Sequence, residues 1–245
     1  MRYFIEVAYM GTNYAGFQIQ ENANTVQAEV EKALAVFFQR NISLTGSSRT
    51  DAGVHALQNF FHFDYDEIIP LSVFYNLNAI LPVDIVVKSI VHVQDENHAR
   101  FDAGSREYKY YISPCKNPFL TNRSWYYPYK VDLELLNNAA KIILENRDFT
   151  SFAKKNSQVQ THQCTIQISH WYYDEDCLIY HVKANRFLRG MVRGLVGTML
   201  LVGRDKISLS DFENIIRSLN SSKANFATPA HGLFLIKIDY PFSLK

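Results

Sequence analysis

Two strand-like runs, 165–173 and 178–182, are separated by little more than the acidic turn Asp174, Glu175, Asp176. So short a link joins neighbouring antiparallel strands, because a parallel crossover needs a dozen residues or more. Further strand-like runs lie at 2–8, 42–44, 57–63, 85–93, 108–112 and 233–238. Helical apolar spacing recurs at 71–79, 133–144, 188–202 and 209–219. Another helix is predicted after Thr25, a capping residue, with Val26, Val30, Ala33, Leu34 and Phe37 on its apolar face. Strands and helices intermixed through short links predict an α+β fold with mixed, largely antiparallel sheets. The polar stretch 94–105 divides the chain into an N-terminal domain, 1–104, and a C-terminal domain, 105–245.

Composition excludes several classes. A net charge of +1 gives no global basic excess, so a nucleic-acid partner must be held by a local patch. Cys115, Cys164 and Cys177 are scattered, without a CxxC pair, which argues against a disulfide framework or a zinc site and fits a reducing, cytoplasmic setting. The N-terminal residues already read as a strand, with no apolar leader. The most apolar long stretch, 187–202, carries Arg189 and Arg193 and is too short to span a bilayer. The eight histidines form no metal-ligand pattern, and there is no phosphate-binding or dinucleotide-binding glycine motif. An enzyme built on this chain is expected to need neither cofactor nor metal.

Three segments carry possible chemistry. In the run 46–53, Asp51 lies between Arg49 and Gly53 among small residues. Such a carboxylate beside a guanidinium stays ionised, although the same residues also make an ordinary Asp-Gly turn. The predicted helix from 188 has a buried stripe of Leu188, Met191, Val192, Leu195, Val196 and Met199. Arg186, Arg189 and Arg193 run along its flank, with Gly190, Gly194 and Gly197 beside them. From 183 to 206 six basic residues face one acidic residue, a local charge of +5. The glycines fit either close packing or approach to an anion. The run REYKY at 106–110 interleaves bases and aromatics, with Tyr108 and Tyr110 on one side of a strand and Lys109 on the other. That pattern serves an aromatic core face as readily as a stacking surface.

Taken together, the motifs resemble those of the TruA-type tRNA pseudouridine synthases along nearly the whole chain. The matching runs are GTNYAGFQIQ at 11–20, TVQ at 25–27, RTDAGVH at 49–55, NAILP at 78–82, HARF at 98–101 and REYKY at 106–110. They continue with DFTSF at 148–152, NRFLRGMVR at 185–193, VG at 196–197 and PAHGL at 229–233. The resemblance implies that Asp51 is the catalytic aspartate, Tyr108 the base-contacting tyrosine, Arg193 the aspartate's partner and Arg49 a contact of the flipped-base state. It also implies two α+β domains sharing one extended sheet, helices packed on it, a cleft between the domains, and a homodimer acting on uridines 38, 39 and 40 of the anticodon stem-loop. The chain departs from the family pattern at Met10 (often Asp), Phe17 (often Trp), Ser48 (often Gly) and in 161–166, where His162, Gln163 and Cys164 stand in place of a usual arginine.

The implied reaction, uridine to pseudouridine in tRNA, needs no redox chemistry. A carboxylate suits it, by stabilising or attacking a cationic sugar carbon as glycosidase carboxylates do, once the target base has left the stack. Attack on the sugar carbon and removal of a sugar proton both remain open for Asp51. A non-catalytic RNA-binding module would keep the basic and aromatic residues without requiring Asp51 and Arg193. A glycoside hydrolase would want a second carboxylate or a metal. A purely structural α+β protein would leave the order of motifs unexplained.

Overall fold

The structure, a computed structural model, describes residues 1–70, 72–154 and 160–244. In chain order the elements are β1 (Arg2–Tyr9), α1 (Val26–Phe38), β2 (Thr45–Gly46), β3 (His55–Asp64), α2 (Val73–Ile80), β4 (Ile85–Val93), β5 (Ser105–Ser113), β6 (Trp125–Tyr126), α3 (Leu133–Glu145), β7 (Ile166–Asp174), β8 (Cys177–Ala184), α4 (Met191–Gly203), α5 (Leu209–Arg217) and β9 (Leu233–Asp239). The chain is α+β, and it forms two compact units. One comprises Met1–Gly104 with Leu235–Lys245, the other Ser105–Phe234. Among the described residues no helix is long and apolar enough to cross a membrane.

In the first unit the strands run β4-β1-β3-β9, with β2 beside β3. β1 pairs antiparallel with both β3 and β4, Ile5 lying opposite Phe61 on one side and Ile90 on the other. Aromatic residues fill this unit. Phe4, Phe61 and Phe63 are almost wholly buried, and Phe17 lies flat on Phe61 with centroids 4.3 Å apart. The last residues return to the unit: Asp239 O accepts from Gly104 N, and the Tyr240 hydroxyl donates to Ala99 O. α1 begins as its cap predicts, with Thr25 Oγ1 accepting from Ala28 N, and buries Val26, Val30, Ala33 and Leu34. α2 begins at Val73; Leu71, the predicted first residue, lies outside the described residues.

The run 42–44 is not the predicted strand. Ile42 and Leu44 are buried, and pairing with β3 falls instead on Thr45 and Gly46. Leu44 finds its backbone partners on α1: its N–H donates to Glu31 Oε1 and its carbonyl accepts from Gln27 Nε2. Buried peptide groups must be paired, but a helix side chain satisfies them as well as a neighbouring strand does.

In the second unit β8 pairs antiparallel with β5 and with β7, and β6 adds a short parallel pairing to β5. β7 and β8 form the predicted hairpin, closed at Asp174 and Cys177 with Glu175 in the left-handed region. α3, capped by Asp132, packs on β7 and against α4. α5 starts with a reciprocal capping box between Ser208 and Asp211.

α4 starts three residues later than the apolar stripe predicts. Gly190 has φ +74, a conformation outside the right-handed helix, so the helix proper begins at Met191. Of the three arginines assigned to the helix flank, only Arg193 is on it; half-buried Arg186 precedes it and exposed Arg189 lies in the entering turn.

Gln27 joins α1 to the buried Leu44 O, to which it donates, and to the part-buried Ile19 N, from which its Oε1 accepts. Gln27→Ala is expected to lower stability by about 1–3 kcal/mol, the scale of stranding buried polar groups. Urea unfolding measures it; a loss under about 0.5 kcal/mol, ordinary for a surface site, would contradict the assignment.

Candidate active site

The loop between β2 and β3 carries Arg49 and Asp51, and its inner side is tied to the sheet at several points. Asn59, wholly buried in the middle of the aromatic strand β3, is the hub. Its Nδ2 donates to Ser48 O (2.9 Å) and to the Tyr9 hydroxyl (3.1 Å), and its Oδ1 accepts from Ser47 Oγ (2.8 Å). The Tyr9 hydroxyl, which accepts from Asn59, also shares a hydrogen bond with Thr50 Oγ1, 2.8 Å away. Ser47, Ser48 and Thr50 therefore point inward and are buried, while Arg49 is exposed and Asp51 half-buried.

The chain after Asp51 is just as constrained. Val54 N donates back to Asp51 O across a tight turn, with Gly53 at φ +78. Phe17 N donates to Thr50 O and Gly53 N to Tyr14 O, so the segment 14–17 lines the turn. Tyr14 in turn donates its hydroxyl to Asp84, which also accepts from Asn13 Nδ2. Burial and that acidic partner push the Tyr14 hydroxyl pKa far up, keeping it a donor. His55 Nδ1 accepts from Gly11 N, and a Cβ on Gly11 would lie 1.9 Å from Val54 O, so only glycine fits there.

Two of the departures from the family pattern fall in this region. Phe17 is buried between Tyr9, Phe61 and Gly46. Ser48 Oγ is buried without a hydrogen-bond partner.

A second cluster of the first unit follows β4. His98 Nδ1 accepts from Arg100 N (3.1 Å) and Phe101 N (3.3 Å), and its ring lies 4.5 Å from His62, whose Nδ1 accepts from Ala99 N. Both histidines are thus held as neutral acceptors. Burial, then His98 and Arg2, bring the His62 pKa down to about 4, against the opposing pull of Asp64 and Asp102.

Tyr108 and Arg193 belong to the second unit. Tyr108 lies on β5 opposite Val182, largely buried, with its ring edge-on to Phe187 at 5.1 Å. Tyr110, two residues on and on the same side, is buried and donates its hydroxyl to Pro229 O. Lys109 points the other way, toward the Tyr172 ring, as strand alternation predicts.

Arg193 is clamped to Thr228 in both directions. Its Nε donates to Thr228 O, and Thr228 Oγ1 donates to Arg193 O, both at 2.7 Å. With Nε engaged, the plane of the guanidinium is fixed. The glycines of α4 make room for the same segment: a Cβ on Gly197 would lie 2.3 Å from Asn225 O, and one on Gly194 would lie 2.8 Å from the Phe226 ring. Close packing, not approach to a ligand, explains these two glycines.

Asn59, Tyr9 and Thr228 do not stand out in the sequence as functional residues. The one available signal was Asn59 itself, a carboxamide inside an otherwise apolar strand, which must find partners if buried.

The His62 shift sets a pH dependence. Its folded pKa lies below the unfolded value of about 6.5, so the unfolded chain binds the proton more readily. The resulting stability is present above about pH 6.5 and is lost as pH falls toward 4, by at most about 1.4 kcal/mol per pH unit. Urea midpoints across that range should decline less steeply in His62→Gln than in the wild type; parallel curves would remove His62 as the cause.

Comparison with known proteins relates the chain to one family. The model of the tRNA pseudouridine synthase family matches residues 5–102 and 139–241. The chain is 44% identical over 245 residues to tRNA pseudouridine synthase A of Parabacteroides distasonis, covering 99% of this chain and 97% of that one. It is 45% identical over 246 residues to the protein of the same name from Bacteroides fragilis, covering 98% and 96%. The match to the Staphylococcus aureus (strain MRSA252) protein of that name is 39% over 241 residues, covering 97% and 91%.

Proposed function

The chain belongs to the tRNA pseudouridine synthase family, and from that premise we propose that it isomerises uridine to pseudouridine at positions 38, 39 and 40 of the tRNA anticodon stem-loop, with Asp51 as the catalytic carboxylate. One observation carries the assignment of Asp51. The buried network holds Ser47, Ser48 and Thr50 inward and leaves Arg49 exposed and Asp51 half-buried on a fixed loop. An ordinary Asp-Gly turn would not need four buried side-chain hydrogen bonds to hold it.

The chemistry is an isomerisation in which atoms balance without a co-reactant. The bond from N1 to the sugar carbon breaks, the uracil turns within the site, and C5 bonds to the same carbon. C5 gives up its proton and N1 ends protonated. The Asp51 carboxylate stabilises the electron-poor sugar carbon or bonds to it, or takes a sugar proton. Tyr108 packs on the displaced base near C5, where a largely buried ring edge-on to Phe187 is already fixed in position. Arg193, held by Thr228 through Nε, pairs with the aspartate. Arg49 contacts the RNA while the target base is out of the stack. The same reading makes the protein a cytoplasmic homodimer that needs neither metal nor cofactor.

Tritium release from tRNA carrying 5-tritiated uridine tests the proposal, because tritium leaves only once C5 has bonded to the sugar. Wild type is expected to release it from anticodon-arm uridines, and Asp51→Asn to lose release by at least about a thousandfold, the scale of removing a catalytic group. Arg193→Ala is expected to lose turnover far more than tRNA affinity. Equal release by wild type and Asp51→Asn would overturn the role of Asp51, and no release by wild type from any anticodon-arm uridine would overturn the function.

A further inference from the structure

A groove of about 310 Å³ opens beside Arg49 in the first unit, lined by Phe17, Gly46, Arg49, His98, Arg100 and Phe101 among others, with no carboxylate in its lining among the described residues. We propose that it is a second nucleotide subsite, which takes an unstacked nucleotide of the tRNA next to the target uridine; this rests on the tRNA reading above. The case begins with Phe101. Its ring is 74% exposed, a costly position for a phenyl group left in water. Yet the turn that presents it is rigid. His98 Nδ1 accepts from the N–H groups of both Arg100 and Phe101, and His98 N donates to Asp102 Oδ2.

The rings also follow one another inward, tilted between Phe101 and His98 and edge-on between His98 and His62. Phe101 lies 4.2 Å from His98, which lies 4.5 Å from the buried His62. The Arg100 guanidinium sits 5.7 Å from the Phe101 ring centroid. An exposed ring backed by half-buried His98 and buried His62, with guanidinium groups at its rim, offers the two contacts that single-stranded nucleic-acid sites use: a face for a base and positive charge for its phosphate. The groove lies at the small end of ligand pockets, with room for one nucleotide and not for a duplex. Arg49 forms one wall and is two residues before Asp51, so the nucleotide it receives is a neighbour of the target. The lining combines the guanidinium groups of Arg49 and Arg100 with aromatic rings and the neutral polar side chains of Gln18, Gln27 and Thr45, a mixture that suits the phosphate, base and edge groups of RNA better than an apolar protein surface.

The test uses the full chain and an anticodon stem-loop RNA with 2-aminopurine at either nucleotide flanking the target uridine. On binding wild type, fluorescence at one flanking position is expected to change as that base stacks. Phe101→Ala should abolish the change and weaken RNA binding by about tenfold, the scale of one base–aromatic stack, while Phe101→Tyr keeps both. Arg100→Ala should lower the slope of log affinity against log salt by about one. Wild-type affinity and an intact fluorescence change in Phe101→Ala would overturn the subsite. So would unchanged RNA binding together with an altered oligomeric state in sedimentation, which would assign the ring to a protein contact. Because the readout is binding, these results stand apart from tritium release: a wild type that releases tritium while Phe101→Ala binds normally loses the subsite and keeps the function.

Discussion

One buried amide, Asn59, fixes the part of the first unit on which the proposed chemistry rests. Its strand is aromatic on both sides, and a carboxamide placed there without partners would cost roughly 1–3 kcal/mol per stranded group. Every hydrogen bond it makes answers that cost, and three of its partners belong to or touch the loop that carries Asp51: Ser47, Ser48 and, through Tyr9, Thr50. The desolvation that makes an unpaired amide costly makes a satisfied one a rigid anchor. The loop needs no regular secondary structure to hold its shape; it is fastened from beneath.

The second unit reaches the same end by different means. Arg193 stands on a helix that is buried nearly all round, and the segment at 225–228 packs so closely on it that α4 must carry glycine at 194 and 197. That closeness brings Thr228 within reach of both the side chain and the carbonyl of Arg193. The glycines, which weaken the helix in isolation, are what allow the clamp to form. In both units a charged residue is positioned by a neutral polar partner buried behind it.

Much of this was legible in the sequence where the signal is local. Thr25 caps α1, the 174–176 turn closes the β7–β8 hairpin, and alternation along β5 buries Tyr108 and Tyr110 while Lys109 turns away. These depend on neighbours in the chain. What the sequence did not reveal depends on partners far away. Whether 42–44 pairs as a strand turns on Glu31 and Gln27, which take its backbone groups first. Where α4 begins turns on the backbone angle of Gly190, and the purpose of Gly194 and Gly197 turns on a segment some thirty residues on. The family motifs mark Arg49, Asp51, Tyr108 and Arg193, but carry no hint of the residues behind them, because Asn59, Tyr9 and Thr228 are common residue types whose importance lies only in what they touch.

In the proposed reaction the buried network, and not the bare presence of a carboxylate, is expected to set the rate. Tyr9→Phe removes one oxygen, the one that joins Asn59 to Thr50, and keeps the ring that stacks near Phe17. The decisive measurement is single-turnover tritium release at saturating tRNA. Tyr9→Phe is expected to slow this step by about a hundredfold, the scale for displacing a reacting group by an ångström, with tRNA affinity and secondary structure unchanged. A Tyr9→Phe protein that releases tritium at the wild-type rate would contradict that role of the network.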